Sequence, residues 1–135
     1  MSKALRWTYR CPECDAHLNP NGRNIVLLAD CEYGKGILLF SDEPGNYNLD
    51  CPLDVDPQAG QKWEFYCPVC QANLTSEADE KISTIKLIDE EGKEHSVFFS
   101  KIAREECTFV VNAEGVETFG KHMDIYEGLI WNKFL

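Results

Sequence analysis

Trp63-Glu64-Phe65-Tyr66-Cys67-Pro68-Val69-Cys70-Gln71-Ala72-Asn73-Leu74 has a near-copy earlier in the chain, Trp7-Thr8-Tyr9-Arg10-Cys11-Pro12-Glu13-Cys14-Asp15-Ala16-His17-Leu18. Counterparts stand 56 positions apart throughout, from Trp7 and Trp63 to Leu18 and Leu74. The shared pattern is W-x-[YF]-x-C-P-x-C-x-A-x-L. Each copy opens on alternating residues, the period of a half-buried strand, and then turns at Cys-Pro-x-Cys. Proline fixes φ and pre-shapes the turn. Two thiolates three residues apart on such a turn can reach one ion, and a second turn completes a tetrahedron. The repeat therefore predicts one four-thiolate site, Cys11, Cys14, Cys67 and Cys70, shared between two halves of the chain.

The same parts follow each copy in the same order. A polar turn at Asn19-Pro20-Asn21-Gly22 leads into two apolar runs, Ile25-Val26-Leu27-Leu28-Ala29 and Ile37-Leu38-Leu39-Phe40. These read as a β-hairpin around Tyr33-Gly34-Lys35-Gly36, with glycines supplying positive φ. In the second half, Thr75-Ser76-Glu77-Ala78-Asp79-Glu80 carries the signature of a short helical turn. Residues 82–88 and 96–100 then read as strands around Glu90-Glu91-Gly92-Lys93. Leu39-Phe40-Ser41 is echoed by Phe98-Phe99-Ser100 at an offset of 59, which places three extra residues between the second knuckle and its return strand.

The Pro- and Asp-rich stretch 42–60 reads as a linker with a short strand near 47–49. Cys107 to Val111 reads as one further strand, rich in β-branched residues. The expected fold is small, all-β and metal-stabilised, a single domain over 1–135. It comprises a first knuckle and hairpin (5–41), the linker (42–60), a second knuckle and hairpin (61–111) and a C-terminal extension (112–135). A pseudo-twofold axis through the four-cysteine site relates the two tandem repeats. Ile125, Leu129, Ile130, Trp131, Phe134 and Leu135 make the extension apolar, so it needs cover from the core or from a second copy in a homo-oligomer.

The two Cys-Pro-x-Cys turns with their lead-in strands resemble the zinc knuckles of zinc-ribbon and rubredoxin-like proteins, over about a fifth of the chain. That resemblance implies one structural Zn²⁺ per chain. Iron is the less favoured occupant, since a tetrahedral S₄ site suits both metals. Knuckles of this kind often carry Gly after the second Cys, where this chain has Asp15 and Gln71. Cys-Pro-x-Cys is also similar to a glutaredoxin active site, which implies thiol–disulfide chemistry with the thiolate at a helix N-terminus. Pro20 and Asn21-Gly22 argue against a helix after the first motif.

Other residues are read against this site. His17 has ligand-like spacing from Cys14, but its counterpart is Asn73, and a symmetric site does not require it. Cys31, Cys51 and Cys107 read as small apolar residues, with a second site built on them and His95 as the rival. Asp50, Asp54 and Asp56 lack the spacing of a calcium loop. His95 and His122 have no companions that would make a catalytic set, and Gly34-Lys35-Gly36 is not a phosphate-cradling loop.

Charge narrows the partners. The formal net charge is −10, and four thiolates with one Zn²⁺ make it more negative still. No basic stripe is present, which disfavours nucleic acid; a protein with a basic surface is the better match. The apolar runs fall short of the ~20 residues of a membrane helix, and residues 1–6 lack a secretory apolar stretch. With paired Cys-x-x-Cys spacings in place of a disulfide framework, a cytoplasmic location is expected. The resulting expectation is a non-enzymatic zinc-binding protein that serves as a protein-interaction or adaptor module. A rubredoxin-like iron electron carrier and a thiol–disulfide oxidoreductase are the alternatives.

Overall fold

The computed structural model describes residues 7–20, 24–31, 34–41, 49–50, 62–77, 79–102, 105–112 and 115–121. The described residues form nine strands and no helix: β1 (Thr8–Arg10), β2 (Asn24–Cys31), β3 (Gly34–Ser41), β4 (Leu49–Asp50), β5 (Glu64–Tyr66), β6 (Ile82–Ile88), β7 (Glu94–Ser100), β8 (Thr108–Asn112) and β9 (Gly115–Phe119). The all-β expectation holds.

Strands β2 and β3 form one antiparallel hairpin, and β6 and β7 form another. Their registers correspond: Ile25 faces Phe40 in the first, and Ser83 faces Phe99 in the second. Entry into the hairpins also corresponds, because Val26 N donates to Leu18 O and Thr84 N to Leu74 O. The offset is thus 58 on the outgoing strand and 59 on the return. Two of the three extra residues precede β6, and the third lies in the β6–β7 turn.

The lead-in strands cross over. β1 pairs with β6, and β5 pairs with β2. The sheets are therefore β1-β6-β7-β8-β9 and β4-β3-β2-β5. Each Cys-Pro-x-Cys turn is fed by a strand that belongs to the other half's hairpin.

Alternation along the strands sends one face of each sheet into a shared core. Ile25, Leu27, Ala29 and Leu38 of the smaller sheet join Ile85, Leu87, Val97 and Val110 of the larger, together with Tyr9, Leu18, Trp63, Phe65 and Leu74. Phe40 meets Phe65 edge-on at 5.4 Å, and Phe99 closes the group at 5.7 Å from Phe65 and 6.2 Å from Phe40. Phe40 and Phe99 lie on the return strands of the two hairpins, so the sheets are joined through those strands. Each fully buried side chain of this size contributes about 1.5–3 kcal/mol. Successive strand residues point to opposite faces, and the reverse face of the larger sheet carries a second cluster, Ile82, Phe98, Cys107, Phe109 and Val111 with Val116.

Two expectations change. Gly34 and Gly36 lie inside β3, where they pair with Cys31 and Ala29 instead of making the turn. The strands therefore run further than the apolar runs suggest, leaving only residues 32 and 33 between them. Residues 75–77 and 79–80 do not form a helical turn: Thr75 bridges to Ser83, and Ser76 N donates to Ile82 O. Packing beside β6 overrides the local helix signature. β9 lies within the stretch read as an extension and pairs with β8 along its whole length. The short strand expected near 47–49 is β4, on the edge beside β3. The rest of the linker and the apolar stretch 122–135 lie outside the described residues.

Candidate metal centre

Both knuckles are built by the same backbone hydrogen bonds. Cys11 N donates to Ala16 O and Cys67 N to Ala72 O, each at 3.0 Å. Asp15 N donates to Cys11 O and Gln71 N to Cys67 O, each at 2.9 Å. Leu18 N and Leu74 N then return to Tyr9 O and Phe65 O. The turn closes through a left-handed residue, Asp15 at φ 62° and Gln71 at φ 63°. Glycine takes this conformation without strain, whereas a side chain there costs about 1–2 kcal/mol.

Asp15 recovers some of that cost. Its carboxylate meets Lys86 Nζ at 2.9 Å and Arg10 Nη1 at 3.4 Å. The Lys86 hydrogen bond holds the Asp15 carboxyl below its ordinary value and raises Lys86 in turn. Gln71→Gly should therefore stabilise the protein by about 0.5–1 kcal/mol, after allowing for the greater freedom of Gly in the unfolded chain. Asp15→Gly should gain less, because it gives up two cationic partners. Denaturant midpoints at equal slope measure both.

The four sulfurs converge. Their Sγ atoms all lie within 4.8 Å of one another, and they form the only such group among the described residues. Cys14 and Cys67 are 3.7 Å apart and Cys11 and Cys70 3.8 Å, both contacts between knuckles. A tetrahedron with metal–sulfur bonds near 2.3 Å has edges of about 3.8 Å, whereas a disulfide requires about 2.05 Å. Both distances match edges of such a tetrahedron and are too long for a disulfide. Cys11 and Cys67 are buried, and Cys14 and Cys70 are exposed.

Each buried sulfur also collects two backbone donors. Glu13 N and Cys14 N point at Cys11 Sγ, at 3.3 and 3.5 Å. Val69 N and Cys70 N point at Cys67 Sγ, at 3.3 and 3.4 Å. Turn amides that serve neither strand nor helix are thereby spent on sulfur, as in the outer shells that stabilise metal-bound thiolates. Burial pushes the Cys11 thiol up to about 12, against the pull of its two amides. Burial also opposes Cys67, but its amide donors and the adjacent Cys11 and Cys14 prevail and bring it to about 7. One thiolate forms near neutral pH, and its charge resists the next. A divalent cation held by the four sulfurs would supply the positive charge that lets all of them ionise.

The other candidates fall away from this centre. His17 is exposed, pairs with Arg10 through a backbone bridge and is not in the sulfur group. His95 Nε2 lies 2.8 Å from Asp89 Oδ2, while Asp89 Oδ1 accepts the amides of Glu91 and Lys93. That pair pins the β6–β7 turn, and His95 holds the Asp89 carboxyl below its ordinary value. Cys107 is buried in the second apolar cluster, apart from any ligand group among the described residues. The Cys31 side chain, Cys51, Asp54, Asp56 and His122 lie outside the described residues.

One polar feature has no signal in the sequence. Lys101, only 1% exposed, donates Nζ to Glu64 Oε1 at 2.8 Å and Thr75 Oγ1 at 2.7 Å. Its carbonyl accepts Trp63 N, and its own amide donates to Lys81 O. The buried ammonium thus ties the lead-in strand of the second knuckle to the residues that follow β7. Partial burial raises the Glu64 carboxyl, and Lys101 outweighs this, leaving it below its ordinary value.

No family model, no curated protein and no solved structure matches this chain.

Proposed function

We propose that the chain is a structural zinc protein, one Zn²⁺ held by Cys11, Cys14, Cys67 and Cys70, and that it acts as a protein-interaction or adaptor module. The observation that carries the zinc reading is the convergence of four sulfurs within 4.8 Å of one another, with cross-knuckle contacts of 3.7 and 3.8 Å. Soft thiolates in that geometry select zinc or iron. Freshly purified protein is expected to be colourless and to hold about one zinc per chain. Less than about half an equivalent of zinc overturns the reading, and a red protein moves it to iron.

The adaptor part rests on surface chemistry. The formal charge of −10 favours a basic protein surface and disfavours phosphate backbones. Val69, 66% exposed at the tip of the second knuckle, offers an apolar contact beside the centre. Capture of a basic partner from cells of origin should weaken as salt rises and should weaken again in Val69→Asp. Homo-oligomerisation through the C-terminal apolar residues is a companion proposal, read by light scattering. Among the described residues no helix is long and apolar enough to cross a membrane; a cytoplasmic site of action remains part of the proposal.

A further inference from the structure

Resting on the zinc reading, we infer that the centre is also a peroxide-modified site: Cys14 and Cys70 are the entry sulfurs, and oxidation joins the two knuckles through Cys14–Cys67 and Cys11–Cys70 disulfides.

Access separates the four sulfurs. Cys14 and Cys70 are exposed, whereas Cys11 and Cys67 are fully buried. Electron density separates them as well. Both buried sulfurs accept two backbone amides, which draw charge away from sulfur, whereas Cys70 accepts one, from Ala72. With all four sulfurs held as thiolates on the zinc, exposure decides which is oxidised first. An oxidant from solvent therefore meets Cys14 or Cys70 first.

Distance then selects the resolving partner. Cys14 faces Cys67 at 3.7 Å, and Cys70 faces Cys11 at 3.8 Å. Each pair combines one exposed with one buried sulfur, from opposite knuckles. Each must close by about 1.7 Å to reach a disulfide.

The chemistry balances with hydrogen peroxide as the named oxidant. The Cys14 thiolate attacks one peroxide oxygen, the O–O bond breaks, and hydroxide leaves with the electron pair, giving a sulfenic acid. The Cys67 thiolate attacks the Cys14 sulfur and expels a second hydroxide as the S–S bond forms. Cys70 and Cys11 repeat the sequence. Two peroxides take four electrons from four thiolates, leaving two disulfides, four hydroxides and a free Zn²⁺. The ionic clamp between the knuckles becomes a covalent one, and a dithiol reductant with zinc restores it.

The test starts with the zinc content of the full-length protein. Folded protein as purified is exposed to graded peroxide, with zinc release followed by a chromogenic chelator and disulfides mapped from non-reduced peptides. The expected result is one zinc released per two peroxides, with Cys14–Cys67 and Cys11–Cys70 as the main linked peptides. A limiting dose of iodoacetamide should label Cys14 and Cys70 at least 10-fold more than Cys11 and Cys67. Linkage within each knuckle (Cys11–Cys14 and Cys67–Cys70), or first labelling at the buried pair, overturns the inference. So does loaded protein that keeps its zinc through a 100-fold excess of peroxide. Protein that purifies folded but without zinc overturns the zinc reading alone, because pairing and labelling in that folded chain still decide which sulfurs react.

Discussion

Removing the metal with a strong chelator is expected to unfold both sheets in a single transition. The apparent binding energy of a structural four-ligand zinc site is roughly 10–16 kcal/mol at neutral pH. The whole stability of a domain is about 5–15 kcal/mol, so the metal-free chain has little left with which to hold its fold. The crossing of the lead-in strands makes the loss cooperative. β1 enters the first knuckle from the sheet of the second hairpin, and β5 enters the second knuckle from the sheet of the first. Neither knuckle can loosen without freeing an edge strand from the opposite half. Cys67→Ser should have the same effect, since Cys67 is buried and takes two amides that Ser would hold more weakly. Far-ultraviolet circular dichroism and the fluorescence of buried Trp63 should fall together during chelation. Loss of only part of the strand signal would mean that each half stands alone. Because zinc displaces thiol protons, Cys11 among them at about 12, binding should release protons, and affinity should rise with pH through neutrality.

Glu64→Gln is expected to cost about 3 kcal/mol, the low end for stranding one partner of a buried ion pair. Lys101 is 1% exposed and would keep only the Thr75 hydroxyl and an amide oxygen beside its ammonium. The cost stays at the low end because Glu64 itself is 30% exposed. The double variant Glu64→Gln with Lys101→Met should recover most of the loss, since a buried charge then no longer lacks a partner. The pH dependence has a definite sign. The folded-state value of Glu64 lies below its unfolded value, so its contribution is complete above an ordinary glutamate pKa near 4.3. That contribution fades as pH falls through the lowered value. The gap between wild type and Glu64→Gln should be constant above about pH 5.5 and narrow on acidification. A cost under about 1 kcal/mol at pH 7 by denaturant titration would show that the Lys101 ammonium reaches water.

The knuckles and hairpins were legible because their causes are local. The alternating residues 7–10 and 63–66 lead into their turns as short strands from their own pattern. Pro12 and Pro68 shape their turns without help from distant residues. The left-handed turns at Asp15 and Gln71 follow from the knuckle, even though neither is Gly. Local signals also misled where packing opposed them. Thr75 to Glu80 carries a helix-start pattern, yet Thr75 and Ser76 are drawn into pairing beside β6.

From the sequence alone came the four cysteines, the repeated turns, the two hairpins and the three-residue insertion between the second knuckle and its return strand. Which hairpin each lead-in strand joins was decided only in three dimensions. Thr8-Tyr9-Arg10 presents the same alternation to either partner, and strand pairing depends on contacts far apart in the chain. Burial of Lys101 and the split into two exposed and two buried sulfurs were decided there as well. Both depend on what packs alongside, which no short window of residues contains.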